Sequence, residues 1–85
     1  MSVRNKYREK KSLKQWEAHE VLKEGYLLEK KGKLNNYWTD PVTQMALVQF
    51  RLYNHLTRKI LFKDDELEDK VFNFAHREVL KDMLA

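Results

Sequence analysis

From Val42 onward, apolar side chains return every three or four residues. Val42, Met45, Ala46, Leu52, Tyr53, Leu56 and Ile60, with Gln49 set among them, fall on one stripe at about 100° per residue. The stripe is introduced by Thr39-Asp40-Pro41. An aspartate in front of a helix accepts the backbone N–H groups that have no partner in the first turn. A proline at the first helical position loses nothing by lacking its N–H. The pattern predicts a helix over about 41–62.

A second start signal follows at once. Asp65 and Glu68 have capping-box spacing, and the acidic run Asp64-Asp65-Glu66 suits the positive end of a helix dipole. Leu67, Val71, Phe72, Phe74, Ala75, Val79 and Met83 then recur at helical spacing, with Lys81 near the end. A helix over about 65–84 is predicted. The short link makes the two helices antiparallel neighbours or a bent corner.

The first third is patterned on two faces. Ala18, Val21, Leu22, Gly25 and Leu28 share one side of a helix, and Leu13, Trp16 and Leu27 share the other. Ser12 and Gln15 have capping-box spacing. An N-terminal helix around 5–30 is expected to pack across the other two, with a bend or an end at Gly25, which costs about 1 kcal/mol inside a helix. The stretch from Lys31 to Trp38 reads as a loop. Lys23-Glu24-Gly25-Tyr26-Leu27-Leu28-Glu29-Lys30-Lys31-Gly32, followed by Trp38, resembles the first strand and turn of a pleckstrin-homology domain. That resemblance implies a many-stranded sheet, and the 53 residues after Gly32 are too few and too helical in period to supply it. It leaves a hairpin over 25–38 as the alternative to a helix end and loop. The expected fold class is all-α: one small three-helix domain over 1–85, with residues 1–11 readable as a flexible basic arm.

Composition narrows the function. At 85 residues, 42% hydrophobic and 35% charged, the chain can make one thin core with little room for a deep pocket. The absence of cysteine removes disulfides, thiolate metal sites and cysteine nucleophiles, and favours an intracellular, cytoplasmic setting. The basic start is not followed by an apolar run, so no secretory signal and no membrane span are expected. The net charge of +4 is unevenly spread: +5 over residues 1–14 (six cations against Glu9), zero over 15–35, +3 over 36–63 and −4 over 64–85.

Chemistry-bearing constellations are missing. His19, His55 and His76 lack the spacing of a helical metal site, and the acidic run at 64–69 lacks the loop pattern of a calcium site. With three isolated turn formers (Gly25, Gly32 and Pro41) there is no phosphate loop or nucleophile elbow, and Ser2 and Ser12 stand in neither context. Neither catalysis, a metal, a cofactor nor a small-molecule substrate is expected. The expected function is binding: a small interaction or regulatory protein that docks on another protein or on itself. Trp16, Tyr37 and Trp38 are the candidate apolar anchors, with caps on the bottom of the core as the other reading of Tyr37 and Trp38. Gln49 resembles the polar group that sets register in a helix–helix seam. The alternative is an accessory protein for nucleic acid. Arg4, Lys6, Arg8, Lys10, Lys11 and Lys14, with Arg51, Arg58 and Lys59 on the second helix, would neutralise phosphates, and Tyr7 or Trp16 would stack on bases.

Overall fold

The computed structural model describes the backbone of residues 6–34, 37–60, 62 and 65–84, and their side chains except 54–57, 59, 60 and 82–84. Three helices carry the fold: α1 at Gln15–Lys30, α2 at Pro41–Ile60 and α3 at Glu66–Leu84. A single 3-10 turn, Tyr37–Thr39, precedes α2, and no strand occurs among the described residues. The 23–30 stretch that resembled a strand is the second half of α1, so the hairpin reading of 25–38 falls.

Each helix end has a local cause. The α2 start is held by Asp40, whose carboxylate accepts the Val42 N–H at 2.8 Å, and by Thr43, whose hydroxyl donates to the Tyr37 and Asp40 carbonyls. Asp65 accepts the Glu68 N–H at 2.7 Å and starts α3. Helix α1 begins at Gln15, ten residues later than expected, because Glu17 turns back to accept the Lys14 N–H at 2.8 Å. It ends in a Schellman motif. The Gly32 N–H bonds the Glu29 carbonyl at 2.9 Å and the Lys33 N–H bonds the Leu28 carbonyl at 2.8 Å, with Gly32 at φ +71°.

Gly25 neither bends nor ends α1. A β-carbon there would lie 3.0 Å from the Tyr37 ring and 3.1 Å from the Trp38 ring. The missing side chain is a seat for the two aromatics of the 3-10 turn, and their packing offsets the helix propensity that glycine loses.

The core forms where the three helices meet. α1 contributes Ala18, Val21, Leu22 and Tyr26, α2 contributes Val42, Ala46, Leu47 and Phe50, and α3 contributes Val71, Phe74, Ala75 and Val79. Phe62, from the link, is buried between Phe50, Phe72 and His19. Full burial of each such aromatic contributes roughly 2–3 kcal/mol. The helix directions follow from polar pairs. His19 bonds Glu68 and Glu29 bonds Arg77, so α1 and α3 run the same way. Arg58 pairs with Asp69 while Phe50 meets Phe72, so α2 and α3 are antiparallel.

Candidate interaction surface

The basic N-terminal segment is the first place where sequence and structure part. Residues 6–14 are not a continuation of α1. They are a strap laid against α1 and the start of α2. Tyr7 is 2% exposed, donates its hydroxyl to Glu20 at 3.1 Å and stands edge-on to Trp16. Leu13 is buried as well. Lys10 reaches down to the buried carboxylate of Glu17, and Arg8 lies 3.9 Å from Asp40. Burial in itself opposes ionisation of Glu17, but the Lys10 ammonium and the Lys14 N–H outweigh it and hold its carboxyl below the usual range. Burial first, then the bond to Glu20 and the charges of Glu20 and Glu17, push the Tyr7 phenol up to about 12.

The residues singled out from the sequence therefore divide. Tyr7 is enclosed and not placed to stack on a base. Lys10 and Arg8 are engaged inside the molecule, and Arg58 pairs with Asp69 while its guanidinium lies 5.0 Å from the centre of the Phe72 ring. Lys6, Lys11, Lys14 and Arg51 are exposed. Arg4 and the side chain of Lys59 lie outside the described residues. Of the aromatic candidates, Trp16 is half exposed. Tyr37 is buried and donates its hydroxyl to the Val21 carbonyl at 2.8 Å, which makes it a core residue. Trp38 is partly buried between Gly25, Tyr37 and Phe74, and its Nε1–H has no hydrogen-bond partner among the described residues.

The surface that the sequence did not single out is on α2. The buried side of that helix is Val42, Thr43, Ala46, Leu47 and Phe50. The predicted stripe is turned away from this line, so only part of it is inside. Met45 and Gln49 are half-buried, Val48 is 51% exposed and Leu52 is 69% exposed. These residues, with Pro41 and Gln44, form one wall of an open groove of about 430 Å³. The other wall is the strap, through Lys11, Ser12 and Leu13. Just beyond Leu52 the backbone leaves helical geometry at Tyr53 (φ −119°, ψ 24°), which closes the straight part of the groove. Gln49 sits in this groove and not in a seam between the chain's own helices.

Two other recesses are weaker candidates. One of about 400 Å³ lies along α1 between His19, Glu20, Lys23, Glu24 and Leu27. Its histidine is already committed to Glu68, at 2.5 Å, and to the Phe62 ring. The other lies between Tyr26, Lys30 and the start of α3 and is mainly lined by charged side chains. Among the described residues no three histidine, aspartate or glutamate side chains converge on a point. No described helix is long and apolar enough to cross a membrane. Comparison with family models, with curated proteins and with solved structures finds no match to this chain.

Proposed function

We propose that this chain is a non-catalytic binding protein that docks on another protein through the outer face of α2. The observation that carries the reading is the pair Val48 and Leu52, one helical turn apart, held out over an apolar groove by a helix whose opposite side is fully used in the core. Aliphatic side chains of this size contribute roughly 1.5–3 kcal/mol each when a partner covers them completely. An intracellular setting belongs to the same proposal and is supported by the lack of cysteine.

The test is a photo-crosslinking amino acid placed at position 52 of the full chain in its native cell, with one at exposed Lys31 as control. A protein crosslinked from 52 and not from 31 is the expected result. Crosslinks to nucleic acid alone, or the same pattern from both positions, would sink the proposal.

Contact with nucleic acid is the second reading. Lys6, Lys11 and Lys14 stay exposed on the strap and favour it. It requires an affinity that falls steeply with salt and is lost on charge reversal at Lys11 and Lys14. Self-association is a third outcome, read as a concentration-dependent sedimentation coefficient.

A further inference from the structure

Two properties of the α2 groove specify its occupant. The first is the chemistry of its walls, whose apolar side chains are aliphatic: Leu13, Met45, Val48 and Leu52 beside Pro41. Bases of nucleic acid bind by stacking on aromatic rings, and among the described residues no aromatic side chain lines this groove. Exposed aliphatic side chains spaced by one helical turn are instead the complement of an amphipathic helix, which presents its own anchors at three- and four-residue steps.

The second property is the sign of the surrounding charge. Between positions 41 and 63 the sequence has no carboxylate; on α2, Arg51 is exposed and Arg58 is turned to Asp69. The strap wall adds Lys11, exposed and without an ion pair among the described residues. The nearby carboxylates are Asp40, already turned to the α2 backbone and Arg8, and exposed Glu9.

A second copy of the chain is a poor occupant on both counts. Pairing α2 with α2 brings like charges together, which costs affinity. Among its described side chains the acidic helix α3 exposes Leu67 and Leu80, thirteen residues apart, and at about 100° per residue these lie on different faces. We infer that the groove between Lys11–Leu13 and α2 receives an acidic amphipathic helix of another protein. Its apolar anchors rest on Val48 and Leu52, and its carboxylates face Lys11 on the strap wall. The inference rests on α2 being the working face.

Two synthetic peptides, each about 16 residues so that a helix can form, test it against the full chain. They share one pattern of leucines at helical spacing and differ in carrying glutamate or lysine at every polar position. Binding is read by fluorescence anisotropy and by amide shifts of the labelled protein. The glutamate peptide is expected to bind at least about tenfold more tightly than the lysine peptide. Its shifts should centre on residues 44–52, Leu52→Glu should weaken it by about tenfold or more, and Lys11→Glu by several-fold. Leu52 and Lys11 are exposed, so neither variant disturbs the fold, and unchanged melting temperatures verify that. Equal binding of the two peptides, shifts centred elsewhere, indifference to Leu52→Glu, or no binding by either peptide overturns the inference. If neither peptide binds while position 52 still crosslinks to a protein, the occupant is wrong and the working face stands. If position 52 crosslinks to no protein, the face itself falls.

Discussion

Two glycines in this chain meet opposite demands. Gly32 is needed for its backbone, because φ +71° is strained for any residue with a β-carbon, while the space around it is open. Gly25 is needed for its surface, because two rings occupy the place of a side chain. Gly32→Ala should cost about 1 kcal/mol through the backbone alone. Gly25→Ala gains about 1 kcal/mol of helix propensity but forces back a Tyr37 ring anchored at Val21 and a Trp38 ring seated on Phe74. Overpacking of that kind costs about 1–3 kcal/mol, so a net loss of about 1 kcal/mol is expected in urea denaturation. A stabilised Gly25→Ala protein would show that the rings have room to move.

Glu17 is the other decisive residue. Its carboxyl is depressed in the folded chain relative to its unfolded value. The ionised form is thus favoured by folding, and this stabilisation is present above the unfolded value and lost as pH falls through the folded one. Lys10→Met removes the ammonium and leaves a buried charge with one backbone donor. Because Lys10 itself is partly exposed, a cost of about 1–2 kcal/mol at neutral pH is expected, below that of a fully buried pair. Denaturation measured across the acid range should show a smaller loss of stability on acidification for Lys10→Met than for the parent.

Helices α2 and α3 were legible because their start signals are made by side chains that bond the next turn: Asp40 with Pro41, and Asp65 with Glu68. The α1 start was not, because the group that is capped there is the backbone N–H of Lys14, a residue type with no capping preference, and Glu17 satisfies it from inside the helix. The candidate site was legible only in part. The apolar positions of α2 are spread so widely around the helix that periodicity cannot decide which edge faces inward. Contact with α1, α3 and Phe62 decides it, and selects Leu47 and Phe50 over Leu52 and Tyr53. This rotation is measurable. Phe50→Ala should cost about 3–5 kcal/mol, whereas Leu52→Ala should stay within about 0.5 kcal/mol of the parent. Equal costs at the two positions would mean that α2 is turned the other way.

At the scale of the molecule, the extents of 29 × 29 × 28 Å and a radius of gyration of 11.8 Å match the roughly 12 Å of a fully compact chain of this length. The strap is part of that body. Its tyrosine reports on it: the phenol moves from 10.0 to about 12 on folding. The protonated form is thus favoured by folding, a stabilisation complete below pH 10 and lost as pH rises towards 12. Spectrophotometric titrations of the parent and of Tyr7→Phe should differ by one tyrosine that ionises at about 12. Charge alone read the strap as an arm; Tyr7 and Leu13 dock it, and only a three-dimensional arrangement places Glu17 beneath Lys10 and Glu20 beside the Tyr7 hydroxyl.

The bond from the Tyr37 hydroxyl to Val21 spans sixteen residues, and the Schellman turn lies inside that span. Closing so short a stretch of chain costs little entropy, and the groups it brings together are near neighbours in the sequence. The first helix, its turn and the capped start of the next form a knot that can tie itself before the C-terminal helix arrives. In native-state hydrogen exchange the amides of Val21 and Leu22 should then outlast those of α3, and detachment of the C-terminal helix should be the first large opening of the protein.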